Sequence, residues 1–518
     1  MNLPTITRAF GDRTERGLAK NQKFSVLLHV LVELIDSGML PKDSDLPPTR
    51  TMSQALGLSR ATVAKAYEHL LFLGKAKSLQ GSRVWVWVAP IHYPSGESQS
   101  APLMAKEPNL SDLGRAFLAQ SPKVRSTESS VHPLQPGVPP LDLFPVNQWR
   151  SLTNDYWRNV RLSGLTYSST AGQQVLKQTL AQLLFSERGI RCEPDQIAVV
   201  SGSVQSLFLV GSLLLNPGDS VALENPTFPN VHRVFSGLRA NKIELTYQLG
   251  QALGAVRLAH VATSEAYPLG TALSIERRAE LADQLSAQGG YLIENDYEHS
   301  VGQHSSNSLL AHDHCLRNII YLSTFNRVLH PSIRIGFMVL PHELVRPMHA
   351  LMGQSHRFVS TSAQTVLHEF IQAGHWQQHN KHLHRAITSR KAALHEAVRL
   401  HLPQDWALHS AHGAQHACLI SPSGTSIPDR LRVRFNQQGI HPHFLEDHYW
   451  TGSPQHGLVL GTGSVHESQM SHWVSVLSEL LPPKTTAKLD YKKYVNWTVI
   501  KALKAVNLAS CSTDSSCS

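Results

Sequence analysis

Two short stretches of this chain carry side chains whose types and spacing suit chemistry. The first is Ser59-Arg60-Ala61-Thr62. A serine before a helical run caps the helix, which puts Arg60 and Thr62 in the first turn, where side chains can reach base edges. An arginine bonds a guanine through two N–H groups, worth about 1–3 kcal/mol of discrimination. Ser59 and the free amides of that helix start can hold a phosphate. Arg50 opens the preceding helix and can clamp a backbone phosphate. Lys65, nearly two turns further on, suits phosphate better than base. The second stretch is Ser201-Gly202-Ser203-Val204-Gln205, a strand-to-helix turn whose free amides suit a phosphate. Alone it is weak, because many α/β domains turn on Ser-Gly. His375, His379, His382 and His384 also fall at helical spacing, and imidazoles four apart can bind metal. They read more simply as a histidine-rich helix surface, so no metal site is expected.

The elements that must position these groups follow from apolar spacing and turn signals. Phe24, Val26, Leu27, Val30, Leu31 and Leu34 predict a helix stopped by Gly38. Leu46-Pro47-Pro48 breaks the chain, and Thr49 is expected to cap a short helix through Leu56. After the Gly57 turn, a third helix runs from the Ser59 cap to about Leu73, closed by Gly74. In it Val63, Tyr67 and Leu70 hold the core. Lys75 to Val88 alternates around Gly81, which predicts a two-stranded hairpin. Helix, Gly turn, helix and wing make a winged helix-turn-helix, whose second helix lies in the major groove. Gly81 lets the wing tip approach the minor groove with no side chain in the way. Residues 1–90 carry twelve Lys or Arg and seven Asp or Glu, a balance of +5.

Pro90 to Pro140 is rich in Pro, Ser and small polar residues and reads as a linker with one helical island, Leu110 to Leu118. From Leu141 to about Leu481, apolar strands alternate with helices as in a parallel-sheet α/β domain. The expected helix after the Ser-Gly turn runs from Ser206 to Leu215. Pro482 to Ser518 ends in Ser and Cys, and at most a loose helix is expected near Val495 to Val506.

A length of 518 residues exceeds one compact core, and 42% hydrophobic with 16% charged residues is ordinary for a globular protein. The net charge of +9 favours polyanionic partners. Five cysteines with no Cys-x-x-Cys argue against a disulfide framework or a zinc site. No signal pattern and no long apolar run are present, so a cytoplasmic protein with no membrane partner is expected.

Residues 20–88 resemble the GntR family of bacterial regulators through Leu46-Pro47-Pro48-Thr49-Arg50, Ala55-Leu56-Gly57-Leu58-Ser59-Arg60-Ala61-Thr62-Val63, Ala66-Tyr67, Leu70 and Gln80-Gly81-Ser82. Further on come Tyr167 to Gly172, the Ser201 turn, Glu224-Asn225-Pro226-Thr227-Phe228-Pro229, Ser264-Glu265-Ala266-Tyr267-Pro268-Leu269-Gly270, Glu294-Asn295-Asp296-Tyr297-Glu298 and Tyr321 to Gly336. This order is similar to the MocR branch of GntR regulators, in which a winged helix is fused to a class I aminotransferase body. The resemblance covers about residues 20–481. It implies a multi-domain chain. An α+β winged helix-turn-helix occupies 20–90 and a linker 91–135. A fold-type I, pyridoxal-phosphate-dependent aminotransferase-like α/β domain with a mostly parallel sheet spans 136–481, and the tail is 482–518.

By the same resemblance, Ser203 and Val204 offer amides to the phosphate of pyridoxal 5'-phosphate, Phe228 stacks on its ring, and Tyr267 stands beside it. Tyr297 bonds the ring hydroxyl and Arg334 holds the phosphate. Arg327 stands where the family has the Schiff-base lysine, and a guanidinium stays protonated and has no electron pair to attack an aldehyde. Asn295 stands where the family has the carboxylate that keeps the ring nitrogen protonated. The family's C-terminal-lobe arginine for a substrate carboxylate has no counterpart, since no Arg follows Arg434. The expectation is a DNA-binding transcription regulator that is not an enzyme and carries no catalytic residues. Its partners are double-stranded operator DNA, a second copy in a homodimer and a small-molecule effector. Any pyridoxal phosphate is held without covalent attachment. The alternatives are an active aminotransferase using another lysine, or a scaffold that no longer reads DNA.

Overall fold

A computed structural model of the chain describes residues 2–14, 23–79, 83–87, 109–121, 131–263, 266–296, 308–312, 318–410, 414–422 and 426–481. The chain divides into two compact units, Met1–Pro108 and Asn109–Ser518. The expectations for Gly81 at the wing tip, for Tyr297 and for the tail from Pro482 fall outside the described residues.

The first unit holds helices α1 (Leu3–Thr14), α2 (Lys23–Asp36), α3 (Thr49–Leu56) and α4 (Arg60–Phe72), then strands β1 (Ala76–Leu79) and β2 (Arg83–Val86). Leu27, Val30, Leu31 and Leu34 of α2 share one face by helical spacing. They pack with Met52 of α3, with Val63, Ala66, Tyr67 and Leu70 of α4, and with Ile6 and Phe10 of α1. Helix α1 is not expected from the sequence, where polar and charged residues hide Ile6 and Phe10 as its only buried contacts. Gly57 sits at φ 62° and turns α3 toward α4. The cap expected of Thr49 is held instead by Pro48, with Thr49 the first helical residue. Proline suits a helix start because its missing N–H would be unpaired there. Strands β1 and β2 pair antiparallel, Ala76 opposite Val86, and Asp45 bridges to Trp85 on the outer side. The Tyr67 hydroxyl donates to the Pro47 carbonyl at 2.6 Å and ties α4 to the proline break.

The second unit opens with α5 (Asp112–Ala119), α6 (Val146–Asn159) and α7 (Gln174–Arg188). There follow β3 (Ile197–Val200), α8 (Ser203–Leu214), β4 (Ser220–Leu223), α9 (Pro229–Gly237), β5 (Asn241–Glu244), β6 (Leu258–Ala262), α10 (Ile275–Ala287), β7 (Tyr291–Asp296), α11 (Leu309–His312), β8 (Ile319–Thr324) and β9 (Gly336–Val339). The seven strands form one sheet in the order β3-β9-β8-β7-β6-β4-β5. Only the pairs made by β9 are antiparallel. Such a sheet places its ligand site at the carboxyl ends of the parallel strands. Both faces are covered, one by a core that includes Val199, Phe325, Phe337 and Phe370, the other by one that includes Val200, Leu207, Phe235 and Ile320.

The chain goes on through α12 (His342–Ser355), α13 (Thr361–Gln372) and α14 (His375–His401). It then passes to β10 (Ala407–His409), β11 (His416–Ile420), α15 (Arg430–Gln437), β12 (His443–Phe444), β13 (Gly457–Gly461) and α16 (Met470–Leu480). These last strands do not extend the parallel sheet, as the alternation of strands and helices suggests. They make a separate antiparallel sheet, β10-β11-β13-β12, with its own core against α14 and α16. Short connections between strands allow antiparallel return, whereas a parallel pair needs a crossover.

Candidate functional site

Helix α4 presents the first candidate surface. The Ser59 side chain accepts the Thr62 amide at 3.0 Å, and the two hydroxyls lie 2.8 Å apart. The cap therefore fixes the start of the helix, and Thr62 spends its hydroxyl on it. Arg50, Ser59, Arg60 and Lys65 are exposed, and Thr62 is half-buried. Among the described residues neither the Arg50 nor the Arg60 guanidinium has a hydrogen-bond or ion-pair partner. Lys65 lies with its ammonium 4.7 Å over the Phe24 ring. Arg83 is paired with Asp45 at 2.6 Å, Lys75 with Asp36, and Lys77 lies 3.3 Å over Trp87. Two of the unpaired guanidinium groups among the described residues thus stand at the entrances of α3 and α4.

The second site is a pocket at the carboxyl ends of β3, β4, β6 and β7. It is lined by Ser203, Val204, Leu207, Glu224, Thr227, Phe228, Asn230, Val231, His260, Ala262, Tyr267, Asn295 and Arg327. It brings together six positions that the sequence singles out: Ser203, Val204, Phe228, Tyr267, Asn295 and Arg327. Helix α8 begins at Ser203, three residues earlier than the apolar run suggests, so its amides of Ser203, Val204 and Gln205 precede the first intrahelical bond, Ser206 to Gly202 at 3.1 Å. Gly202 adopts φ 137°, and a Cβ there would come within 2.6 Å of the Asn326 side chain. Asn326 donates to the Ser201 carbonyl at 3.1 Å and accepts the Ile335 amide at 3.2 Å. It ties the β8 end to the phosphate-type turn. Arg334 is exposed, in the left-handed region at φ 52°, and reaches the Ser201 hydroxyl at 3.4 Å. It stands at the turn and not in the pocket with Arg327.

Strand alternation decides what Asn295 does. Glu294 and Asp296 point to the opposite side of β7. Glu294 is paired with Arg278 at 2.6 Å and takes the Ser308 hydroxyl at 2.6 Å. Asp296 is paired with Arg188 at 3.2 Å and accepts the Tyr321 hydroxyl at 2.7 Å. Neither carboxylate can turn into the pocket in place of the one that Asn295 lacks. Asn295 instead donates to His260 at 3.0 Å, and its side-chain Oδ1 has no partner among the described residues. Burial pushes the His260 imidazolium down to about 4, so this ring is neutral. Glu224 accepts the Ala262 amide at 2.9 Å through one oxygen, and its other oxygen has no partner among the described residues. Burial pushes its carboxyl up to about 8. Glu224 and His260 are residues that sequence reasoning missed. Glu224 follows β4 and His260 lies in the middle of β6, and only the register of β4, β6 and β7 places them beside Asn295.

The Arg327 guanidinium carbon lies 5.2 Å from the Phe228 ring centre. Two flat groups stack about 3.5–4 Å apart at contact distance, so no third group fits between these two. Phe228 is therefore not free on that side to stack on a ligand ring, as the sequence suggests. Tyr267 meets Phe228 edge-on at 5.6 Å, and its hydroxyl is 3.2 Å from His448, whose other nitrogen donates to the Phe444 carbonyl at 3.0 Å. Beside it Cys418, Leu445 and Val459 make an apolar wall. Of the four spaced histidines, His379 is not on the surface. It is buried and donates to the Val328 carbonyl at 2.8 Å, next to Arg327. No helix among the described residues is long and apolar enough to cross a membrane.

Fold and pocket define a class I and II aminotransferase body: residues 134–414 match the model of that family, more than half of the chain, and the chain belongs to it. Its relatives extend the likeness to the N-terminal unit. The probable rhizopine catabolism regulatory protein MocR of Rhizobium meliloti is 27% identical over 450 residues, 85% of this chain and 90% of that one. The uncharacterized HTH-type transcriptional regulator YhdI of Bacillus subtilis is 26% identical over 478 residues, 90% of this chain and 97% of its own. The HTH-type pyridoxine biosynthesis transcriptional regulator PdxR of Corynebacterium glutamicum is 26% identical over 457 residues, 85% and 92%. The resemblance to the MocR branch thus holds over nearly the whole chain. Among solved structures, a Pyrococcus horikoshii kynurenine aminotransferase in complex with PMP matches with a TM-score of 0.61 at 22% identity, over 72% of this chain and 95% of that one. The α-aminoadipate aminotransferase LysN of Thermus thermophilus, complexed with a phosphopyridoxyl leucine, matches with 0.61 at 20% identity, over 71% and 94%. At these identities the structures speak for the fold, which in those two enzymes holds PMP and a phosphopyridoxyl leucine.

The residues present fit one end of the pyridoxal phosphate that the resemblance implies. The α8 start, Ser203 and the Ser201 turn suit a phosphate. The other end does not fit: no lysine lines the pocket among the described residues, and a guanidinium covers the Phe228 face.

Proposed function

We propose that this protein is a DNA-binding transcription regulator whose aminotransferase-like body pairs two copies and senses a small molecule without catalysing its transformation. The observation that carries the reading is Arg327 in the pocket lining, at the chain position where the resemblance implies the family's lysine. A permanently charged fork cannot form an imine, and Asn295 cannot stabilise a protonated ring as a carboxylate would. What remains is recognition. The Ser203 and Val204 amides, with Arg334 at the turn, would hold a phosphate. Tyr267 and Phe228 would wall the site, and Asn295 would face the ligand from β7.

On the DNA side, Arg60 would read a base edge from the start of α4. Arg50, Ser59 and Lys65 would hold phosphates, and Thr62 would keep the helix start in shape. A dimer of such units fixes the distance between two half-sites. The reading is tested by gel shift of the purified protein on DNA flanking its own gene, with unrelated DNA as competitor. Specific retardation is the expected result. An absence of preference would leave the scaffold alternative standing. Incubation with amino and keto acids in the presence of pyridoxal phosphate tests the enzyme alternative, which sustained turnover would establish.

A further inference from the structure

Helix α5 lies in the chain between the first unit and the sheet of the second, and it fully buries none of its eight residues. Leu113 and Leu118 are exposed. Helices shorter than about 12–15 residues are marginal on their own in water, so α5 is held by its cap and its seat. Ser111 accepts the Gly114 amide at 3.1 Å, and the Arg115 amide donates to the Ser111 carbonyl at 2.9 Å. The seat is made by α9 and α8. Phe117 lays its ring directly on the backbone of Gly237, at the end of α9. A Cβ at that position would overlap the ring, and the three atoms nearest to it all belong to Phe117. The same ring meets Phe208 of α8 at 5.9 Å between centres. Asp112 pairs with Arg239 at 3.5 Å, but both are exposed, and such a pair adds little. The docking thus turns on one half-buried aromatic ring in a notch that glycine leaves open. The two helices of the seat also line the pocket with their first halves, through Ser203, Val204 and Leu207 on α8 and Asn230 and Val231 on α9.

We infer that α5 is a releasable latch, seated by Phe117 on Gly237, that sets the length of the tether between the DNA-reading unit and the aminotransferase-like body. With α5 seated, the covalent path from the first unit reaches the body at Asp112. With α5 lifted off, the helix unfolds and the path runs on past Ala119. A segment held by few buried contacts opens locally without the rest of the fold. A longer tether lowers the effective concentration at which a second half-site is met. Release therefore loosens the hold on paired half-sites and leaves each reading helix as it is. The latch stands on the geometry of α5, α8 and α9 alone, and its consequence for DNA rests on the regulator proposed above.

The test uses the full chain and three variants, Gly237→Ala, Phe117→Ala and the two together. Alanine suits a helix better than glycine, so Gly237→Ala keeps α9 and expels the ring. Amide hydrogen exchange of residues 113–119, read by mass spectrometry, is expected to be slow in the natural chain. Each single variant should exchange there about tenfold faster, as overpacking or loss of the ring shifts α5 toward its open state. The double variant should exchange no faster than Phe117→Ala, because the added methyl then has no ring to displace. In gel shifts on DNA flanking the gene, each variant should bind about two- to threefold more weakly than the natural chain, with its preference over unrelated DNA kept. Unprotected α5 amides in the natural chain, unchanged exchange in Gly237→Ala, a double variant that adds the two effects, or faster exchange with unchanged DNA affinity would each overturn the inference. Specific DNA binding with α5 unmoved by Gly237→Ala sinks the latch alone. A natural chain with no preference for that DNA sinks the regulator and, with it, this role for α5.

Discussion

Arg327 lays its guanidinium 5.2 Å over the ring of Phe228, inside the pocket that the α8 start and the β7 end define. A cation over an aromatic face is attracted to it, and more so when partly desolvated. The contact therefore holds a flat, charged group over an aromatic wall. The neighbouring Val328 carbonyl is fixed by His379, and the Arg327 carbonyl by Gln415 at 3.0 Å, so the backbone that carries the group is held from two sides.

From this, Arg327→Lys is predicted to gain a chemistry that the natural chain lacks. With pyridoxal phosphate and borohydride, the variant should show a mass gain on residue 327, and the natural protein should show none on any pocket residue. Transamination should stay absent in the variant, because Asn295 still faces the ring side. A borohydride-fixed adduct on a lysine of the unmodified protein would show that another amine serves.

Arg60 and Lys65 stand on the same helix and should fail differently. Arg60 is exposed with a free guanidinium, and Arg60→Ala is predicted to cost about 1–3 kcal/mol at one base position and to relax preference there. Lys65 leans on Phe24. Its loss should weaken binding to all sequences evenly and lower the salt slope by about one ion. Gel shifts on a set of single-base operator variants at two salt concentrations distinguish the two patterns.

Ser59 fastens the start of the same helix by accepting the Thr62 amide. Ser59→Ala should cost about 1 kcal/mol of stability in the DNA-binding unit, read as a lower melting temperature. Ser59→Asp should recover the stability, since a carboxylate caps equally well, yet weaken DNA binding by setting a negative charge beside a phosphate. If both substitutions act alike on DNA binding, Ser59 is a cap and nothing more.

The elements were legible wherever apolar residues keep a period. Leu27, Val30, Leu31 and Leu34 announce α2, and Ile197 to Val200 announces a buried strand. Gly57 and Ser59 mark a turn and a cap by chemistry that is local to a few residues. Helix α1 stayed hidden because only Ile6 and Phe10 bury fully, and they need α2 to do so. The separate antiparallel sheet of β10 to β13 stayed hidden because strand direction is set by pairing partners and not by composition. In the pocket, Arg327, Phe228, Tyr267 and Asn295 were found by their segments, since each segment is contiguous. Glu224 and His260 were not read as floor residues, because their meeting depends on the register of three strands that lie far apart in the chain. The carboxylates beside Asn295 illustrate the same limit. Only the pleat and the partners Arg278 and Arg188 show that they face away.

Glu224 gives the pocket a pH dependence whose sign follows from burial. Its carboxyl is pushed up to about 8 from an ordinary value of 4.5, and the groups around it are the Ala262 amide, Arg278, Tyr247, His260 and Arg327. The folded chain therefore binds a proton that the unfolded chain has already released between these two values. Stability from this group is full below the unfolded value and is lost as pH rises toward the folded one. Glu224→Gln, which stays neutral, should raise the melting temperature at pH 8, and that gain should vanish by pH 5. His260 acts in the opposite direction: its imidazolium is pushed down to about 4, so stability is lost as pH falls through the range below 6.5. His260→Gln should remove that acid loss and leave the alkaline one. Melting curves of the three proteins from pH 4.5 to pH 8.5 decide the matter. A Glu224→Gln gain of equal size at both ends would mean that the carboxyl is not protonated in the fold, and that the floor beneath the α8 start carries a charge after all.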